Sequence, residues 1–251
     1  MLSTDRHDTV MVSGRRGGVS DGRRPRCQGS RKAQLFRGLS AAELAQVNDL
    51  LGRTKFPAGA MILTADQPGE IAYVILDGTL KVSTIQSNGR ELTLALIGPG
   101  EIVGELALAD RAARSADVTA LEPSVLVWID RGTFERLRRD IPGITENLLR
   151  LLVRRLRLAN AQLQAMATLD VHGRVARQLL ALADALGEEA ADGSVRIPLR
   201  ITQSDLAALV GATRVRVNEV LVGFTRRRNI AVDRQHRITI RDRAELEAYV
   251  E

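Results

Sequence analysis

The apolar residues of this chain change their spacing at Pro142, and this change constrains the fold more than any other feature of the sequence. Upstream, short apolar runs such as Ile71–Leu76 and Val125–Ile129 are separated by turn signals, among them Asp77-Gly78 and Asn88-Gly89. Both dipeptides are typical of β-hairpins. About eight such strands in roughly 70 residues predict an antiparallel β-barrel or jelly roll.

Downstream of Pro142, one apolar stripe follows coiled-coil spacing, with steps of 3, 4, 3, 4 and 3 residues. Its members are Leu149, Leu152, Leu156, Ala159, Leu163 and Met166. The spacing predicts one long helix, 143–168, whose narrow stripe pairs with a second copy of the chain. Four arginines are expected to flank the stripe: Arg150, Arg154, Arg155 and Arg157. A helix packed wholly within its own subunit is the alternative.

The last segment, 169–251, carries the signals of a winged helix-turn-helix. Three helices are predicted, each with a polar cap: Val175–Leu186 after Asp170, Leu206–Val210 after the Thr202–Asp205 capping box, and a helix from Thr213 to about Phe224. Gly211-Ala212 forms the turn, and Gly187 to Gly193 interrupts the pattern. The hairpin Ile230–Val232 and Arg237–Ile240 forms the wing. The fold class is therefore α+β, with the β-domain at 33–142 and a helix after Ser40 opening it.

Positive charge is segregated along the chain. Residues 1–32, read as a disordered basic tail, carry a net charge of +5, residues 33–195 carry −3, and residues 196–241 carry +7. Segregated positive charge in a folded domain indicates a polyanionic partner. The tail is either solvated or an auxiliary nucleic-acid arm.

Composition excludes several classes of protein. The sequence has no apolar run long enough to cross a membrane and no secretory signal, so we expect no membrane association. One cysteine, Cys27, excludes an internal disulfide framework and a metal site built from cysteines, and a reducing cytoplasm is the simplest setting. Because no nucleophilic triad appears either, we predict that the protein is not an enzyme.

One short segment has the chemistry of a phosphate site. Gly104-Glu105-Leu106 is followed by Arg114-Ser115. A glycine lets the backbone approach a ligand closely, and a helical turn that starts near Glu105 aims free N–H groups at an anion. Arg114 offers a planar fork that suits phosphate, while the carboxylate of Glu105 suits a sugar hydroxyl.

The segment from Gly104 to Ala116 resembles the phosphate-binding cassette of cyclic-nucleotide-binding domains, and the chain from Leu35 to Tyr249 resembles the CRP/FNR family of bacterial transcription regulators. The resemblance implies that Glu105 holds the ribose 2′-hydroxyl and that Arg114 pairs with the cyclic phosphate of cAMP, assisted by Ser115 and the backbone of Gly104. It also places adenine contacts at Ala159 and Asn160, where Ala159 lacks the hydroxyl usual in cAMP-binding members. A ligand-independent regulator with an unused pocket is the alternative.

The second helix of the helix-turn-helix is the predicted reading helix. Its inner face is apolar, which leaves Arg214, Val215, Asn218 and Glu219 exposed, with Arg216 at the edge. Gln203, Ser204 and Thr213 lie at helix starts that could touch phosphates. Further arginines add diffuse attraction to DNA: Arg226, Arg227, Arg228 and Arg234.

The reading helix departs from the CRP pattern at two positions. CRP-like members commonly carry glutamate at the position of Val215 and a second arginine at that of Glu219. We therefore expect a palindromic double-stranded DNA site that differs from the usual CRP half-site. RNA polymerase is a partner implied by the resemblance alone. A nucleotide-processing enzyme and a nucleotide-binding scaffold without DNA function are the rivals from other classes.

Overall fold

The computed structural model describes residues 33–87, 89, 91–110 and 112–251. The predicted tail, 1–32, and Cys27 within it lie outside the described residues. The described chain begins with a short 3₁₀ helix, Gln34–Phe36, and α1, Ala41–Leu50. The expected capping box opens α1: the hydroxyl of Ser40 accepts from Glu43 N at 3.3 Å, and the Glu43 carboxylate accepts from Ser40 N at 2.7 Å.

Eight strands follow within the described part of the N-terminal half. They are β1 (Gly52–Phe56), β2 (Met61–Leu63), β3 (Ile71–Asp77), β4 (Leu80–Ile85), β5 (Glu91–Ile97), β6 (Ile102–Val103), β7 (Asp117–Ala120) and β8 (Ser124–Asp130). They form two antiparallel sheets, in the orders β1-β8-β3-β6 and β2-β7-β4-β5. The short helix α2, Glu105–Asp110, lies between β6 and β7. This arrangement confirms the predicted jelly-roll type of fold.

The turn at Asp77-Gly78 is not a hairpin turn, contrary to the sequence prediction. β3 and β4 belong to different sheets, so the chain crosses between sheets at Gly78. Gly78 has φ +97°, and a Cβ there would lie 2.2 Å from Oγ of Ser124. The second predicted hairpin is confirmed: β4 pairs with β5 from Leu80↔Ile97 to Ile85↔Glu91, although Asn88 itself lies outside the described residues.

Leucine, isoleucine, valine and alanine build the β-domain core, as expected for a chain with 3% aromatic residues. One cluster, which includes Ile75, Leu80 and Leu126, fills the space between the sheets. A second cluster packs the other sheet against the helices that flank the domain, with Phe36 and Phe134 at its centre.

Two helices lead out of the β-domain: α3, Arg131–Asp140, and α4, Pro142–Thr168. Ile144, Leu148 and Leu151 of α4 are buried against the β-domain. The outward stripe of α4 is left open, with Leu156 62% and Leu163 66% exposed. The predicted long helix is thus present, and most of its buried residues lie in its first half, with Ala165 buried near its end.

The C-terminal part has the predicted winged helix-turn-helix. Its elements are α5 (Val171–Leu186), β9 (Glu188–Glu189), β10 (Val195–Ile197), α6 (Gln203–Val210), α7 (Arg214–Arg226), β11 (Ile230–Val232), β12 (Ile238–Ile240) and α8 (Arg243–Glu247). Asp170, Thr202 and Thr213 cap α5, α6 and α7 as expected. Gly211 adopts φ +62° in the turn between α6 and α7.

Three boundaries in this part differ from the sequence prediction. α5 starts at Val171 and α6 at Gln203, because each helix begins directly after its cap rather than at the predicted Val175 and Leu206. The interval from Gly187 to Gly193 is not a simple break: β9 pairs with β10, and these strands extend the wing into a four-stranded sheet. Strands of two and three residues are too short to leave an apolar period in the sequence.

Candidate functional site

Gly104 is the position where the backbone turns into α2, and it requires glycine. Its φ is +79°, a conformation that side chains rarely adopt. A Cβ at Gly104 would lie 2.8 Å from Nη1 of Arg114 and 2.9 Å from the carbonyl oxygen of Ile71. The absence of a side chain therefore lets the guanidinium of Arg114 lie directly against the backbone at the start of α2.

Arg114 presents a cation that this structure leaves partly unsatisfied. Its Nη2 donates to the carbonyl oxygen of Ile71 at 3.0 Å, whereas its Nη1 is buried and has no hydrogen-bond partner among the described residues. Burial lowers the pKa of Arg114, with Tyr73 and Glu70 acting in the opposite direction. A buried guanidinium nitrogen without a partner fits an anion supplied by a ligand.

Glu105 is the first residue of α2 and is almost fully buried, at 1% exposure. Its Oε1 accepts from Nη1 of Arg155 at 2.5 Å. Burial raises the pKa of the Glu105 carboxyl, and the neighbouring Arg155 opposes that rise. One oxygen of the Glu105 carboxylate is therefore paired with Arg155 of α4, and the carboxylate can still accept a hydrogen bond from a ligand hydroxyl.

A second buried carboxylate, Glu101, ties α4 to the β-domain. It accepts from Arg154, and its other oxygen lies 3.4 Å from Nη2 of Arg155. Arg155 Nη2 also donates to the carbonyl oxygen of Ile102 at 2.6 Å. Sequence reasoning placed Arg154 and Arg155 beside the stripe without assigning them partners, whereas both bond to groups of the β-domain. Glu101 was missed altogether, since no local motif marks it.

One cavity is lined by most of the residues that the sequence predicts for the effector site. It has a volume of about 320 Å³ and lies between the β-domain, α4 and α5. Six of the seven predicted residues line it: Gly104, Glu105, Leu106, Arg114, Ser115 and Ala159. Asn160 is exposed on α4 and does not line the cavity within this subunit. Ser115 is exposed at the cavity wall, so its hydroxyl is free to reach a ligand.

The predicted reading helix α7 has the expected inner and outer faces. Val217, Val220, Leu221 and Phe224 are buried, and the proposed reading residues are all exposed: Arg214, Val215, Arg216, Asn218 and Glu219. Thr213 and Ser204 are exposed at the starts of α7 and α6.

Two hydrogen-bonded groups organise the outer face of α7. Gln203 donates from Nε2 to Oδ1 of Asn218 at 2.6 Å, and its Oε1 lies 3.5 Å from Nε of Arg214. Arg216 pairs with Glu219 at 2.8 Å, one turn apart on α7. Sequence reasoning did not anticipate that Glu219, one of the predicted reading residues, has an arginine partner in the absence of DNA.

Exposed arginines surround this face, but they are not equivalent. Arg226, Arg228 and Arg234 have no side-chain partner within the described part of the chain, whereas Arg227 donates to the hydroxyl of Tyr249. The first three therefore remain available for diffuse attraction to phosphates.

The described residues contain no group of three or more His, Cys, Asp or Glu side chains that could hold a metal ion. None of their helices is long and apolar enough to cross a membrane.

Comparisons with known proteins identify the family of the β-domain and that of the C-terminal helix-turn-helix. The model of the cyclic nucleotide-binding domain matches residues 53–140, and that of the Crp-like helix-turn-helix domain matches residues 173–249. A CRP-like cAMP-activated global transcriptional regulator of Mycobacterium tuberculosis is 36% identical over 196 residues, which cover 78% of this chain and 87% of that protein. The cyclic AMP receptor protein of Thermus thermophilus is 35% identical, covering 74% and 83%.

A solved CRP/FNR-family transcriptional regulator from Thermus thermophilus superposes with a TM-score of 0.60 at 28% identity, covering 79% of this chain and 98% of that one. The family models, the relatives and the solved structure thus indicate the same protein family over most of the described chain. This chain belongs to the CRP/FNR family of DNA-binding transcription regulators, with a cyclic-nucleotide-binding domain followed by a Crp-like helix-turn-helix.

Proposed function

We propose that cAMP is the effector and that it binds in the cavity beside Arg114. The observation that carries this proposal is the buried, unpartnered Nη1 of Arg114, which lies on the same cavity wall as the carboxylate of Glu105. A cyclic phosphate would satisfy Arg114, and a ribose hydroxyl would donate to Glu105. The names of the mycobacterial and Thermus relatives, which specify cAMP, support the choice of nucleotide.

The working form is a homodimer that pairs through α4. Leu149, Leu156 and Leu163 lie on the open stripe of that helix, each more than 60% exposed. Burying a leucine side chain is worth about 1.5–3 kcal/mol, so pairing of two such stripes supplies a strong driving force. In the dimer, Asn160 would lie near the second subunit and could contribute its amide to a nucleotide there.

Ligand binding would be transmitted through the cavity itself. Elements of the β-domain, α4 and α5 all line it, and α6 contributes Leu209 and Val210. A ligand that fits one arrangement of these elements better than another shifts the population toward that arrangement. The shift would place the two α7 helices in successive major grooves of a palindromic site, about 34 Å apart. In the cytoplasm, the bound dimer would then act on RNA polymerase.

Two observations favour a ligand-independent regulator instead. Glu105 is already paired with Arg155, and Ala159 offers no hydroxyl toward a base. In that case the effector cavity would be retained but unused, and DNA affinity would not depend on a nucleotide.

A DNA titration with and without cAMP, at fixed salt, distinguishes a cAMP-controlled regulator from a ligand-independent one. We expect cAMP to raise the affinity of the wild-type dimer for its selected site and to have no effect on Arg114→Ala. Arg139→Ala, which removes an exposed arginine of α3 that does not line the cavity, is the control and should respond as the wild type does. Equal DNA affinity in the presence and absence of cAMP, with no heat of binding in calorimetry, would establish the ligand-independent alternative.

A further inference from the structure

Arg131 is an arginine of the β-domain side that does not line the effector cavity. It is the first residue of α3, directly after β8, and its side chain is 20% exposed. Its backbone N–H donates to the carbonyl oxygen of Glu70 at 3.0 Å. Because β8 is paired on both sides, with β1 and β3, the start of α3 is attached to the middle of a sheet. Neither the sequence patterns nor the proposed cAMP contacts give this residue a role.

The guanidinium of Arg131 binds the C-terminal end of α2. Its Nη2 donates to the carbonyl oxygen of Ala107 at 3.1 Å, and its Nη1 donates to that of Leu108 at 3.3 Å. Both carbonyls are among the last four of this six-residue helix, which a helix leaves without an internal partner. The helix dipole also favours a cation at this end. Since so short a helix is not stable by itself, these bonds hold α2 in place, and with it Glu105 at its first position.

The same guanidinium binds a second part of the β-domain, the segment 66–70. Its Nη2 donates to the carbonyl oxygen of Gly69 at 2.7 Å, and its Nε donates to the carboxylate of Glu70 at 3.2 Å. Gly69 packs against α2 so closely that a Cβ there would lie 2.0 Å from Cβ of Ala107. Arg131 therefore joins α2 and the segment 66–70 where the two approach each other.

The segment 66–70 also pairs with the backbone of Arg114. Asp66 N donates to the carbonyl oxygen of Arg114, and Arg114 N donates to that of Gln67, each at 3.0 Å. The guanidinium of Arg114 donates to the carbonyl oxygen of Ile71, the residue that follows the segment. This stretch of backbone thus places both the main chain and the side chain of Arg114.

We propose that Arg131 is a positioning residue of the effector site, because it bonds to α2 and to the segment 66–70 at once and so sets the distance between Glu105 and Arg114. The inference rests on the proposed function, in which these two residues bind the ribose and the phosphate of one cAMP molecule. Arginine suits this task since its planar guanidinium donates to several acceptors in fixed directions, whereas lysine provides a point charge. Without the guanidinium, a ligand would have to order α2 and the segment on binding, which costs affinity.

Hydrogen exchange of the ligand-free protein and calorimetry with cAMP test this on the full-length chain. In Arg131→Gln, the backbone amides of α2 should exchange faster than in the wild type. The affinity for cAMP should fall about tenfold or more, as expected for the loss of hydrogen bonds from a charged group. Saturating cAMP should still raise the DNA affinity to the wild-type level, because the described bonds of Arg131 all lie within the β-domain and α3.

Two further variants and a control separate the carbonyl bonds from the charge. Arg131→Lys keeps the charge and should bind cAMP with intermediate affinity, and it decides the case if thermal unfolding shows that Arg131→Gln does not fold. Glu70→Gln removes only an ion pair whose carboxylate side chain is 66% exposed, so its affinity for cAMP should stay within about threefold of the wild type. The control, Arg136→Gln, removes an exposed α3 arginine that pairs with Asp140 and does not line the cavity, and it should behave as the wild type does.

Each contrary result has a definite meaning. Wild-type affinity for cAMP in folded Arg131→Gln, or in Arg131→Lys if only that variant folds, would overturn this inference and leave the proposed function intact. Faster exchange in α2 with unchanged affinity would overturn it too, because Arg131 would then stabilise the β-domain without placing the ligand contacts. An equal loss of affinity in Arg136→Gln would also overturn it. Absence of cAMP binding by the wild type would overturn both the inference and the proposed function.

Discussion

Glu122 and Arg237 connect the β-domain to the wing. Oε2 of Glu122 lies 3.0 Å from Nη2 of Arg237, and their side chains are only 17% and 19% exposed. The other oxygen of Glu122 accepts from the hydroxyl of Thr79 at 2.6 Å, and that hydroxyl accepts from Arg200 N at 3.1 Å. Leu96 of β5 joins the apolar core of the C-terminal domain beside this polar contact. The position of the winged helix-turn-helix is therefore coupled to the β-domain through a largely buried ion pair.

Replacing Arg237 with Gln should weaken this connection. The change leaves a largely buried carboxylate without its cation, so we expect the free energy of unfolding to fall by about 1.5–3 kcal/mol. Hydrogen exchange of backbone amides should become faster around Glu122 and in β12. Arg234→Gln is the control, because Arg234 is exposed in the same hairpin and has no side-chain partner among the described residues. Equal exchange rates in both variants would show that the ion pair does not hold the domains together.

Local signals in the sequence predicted the capping residues of the helices well, because a cap and its helix are only a few residues apart. Ser40, Asp170, Thr202 and Thr213 each accept from a backbone N–H three residues later, a contact set by local geometry alone. The apolar spacing of α7 likewise predicted which of its residues are exposed.

Contacts between distant segments were not predictable in this way. Arg154 and Glu101 are 53 positions apart, and Arg237 and Glu122 are 115 apart. Only the folded arrangement of α4 and of the wing brings these charges together, so their spacing in the sequence carries no signal. The Asp77-Gly78 dipeptide shows the same limit: it specifies a turn, whereas the packing of two sheets decides whether the flanking strands pair.

Gly104→Ala should impair nucleotide binding by displacing Arg114. A Cβ at Gly104 would lie 2.8 Å from Nη1 of Arg114, in addition to the strain of a positive φ. Gly59→Ala is a matched control, because Gly59 has φ +80° but nothing within 4 Å of the added Cβ. We expect both variants to lose about 1–3 kcal/mol of stability from backbone strain, and only Gly104→Ala to lose affinity for cAMP in calorimetry. Equal cAMP affinity in the two variants would contradict the role of the close approach.

Glu105 should give stability a specific pH dependence. Burial raises its folded-state pKa above the ordinary value of 4.5, so between these two values the folded protein keeps a proton that the unfolded chain has lost. The contribution of this group to stability is therefore largest below the unfolded pKa and falls as the pH rises through the folded one. Glu105→Gln lacks this titration.

Chemical denaturation from about pH 4.5 to pH 7.5 measures this effect. The difference in free energy of unfolding, wild type minus Glu105→Gln, should decrease as the pH rises. A constant difference over the whole range would show that Arg155 fully offsets the cost of burial.

Leu156→Lys should weaken the dimer. It would place a charge at the centre of the open α4 stripe, where a partner helix would have to desolvate it. Gln164→Lys adds the same charge to an exposed α4 position outside the stripe and serves as the control. We expect sedimentation equilibrium to show Leu156→Lys shifted toward monomer and Gln164→Lys unchanged. If both variants remain equally dimeric, the stripe is not the interface.

Arg214 and Arg226 should contribute to DNA binding in different ways. Arg214 lies in the first turn of α7, where a guanidinium can bind guanine O6 and N7 together, so Arg214→Gln should cost about 1–3 kcal/mol at one base pair and relax the preference there. Arg226 lies at the last turn with no side-chain partner among the described residues, so Arg226→Gln should weaken binding to all sequences about equally and reduce the salt slope by about 1.

Binding-site selection followed by titrations at several salt concentrations separates these effects. Because Gln203 lies next to both Arg214 and Asn218, Gln203→Ala should broaden the selected sequence without altering the salt slope. Recovery of the usual CRP half-site by the wild type would show that Val215 and Glu219 do not alter base preference. A uniform loss of affinity in Arg214→Gln, with an unchanged selected sequence, would reassign Arg214 to phosphate contact.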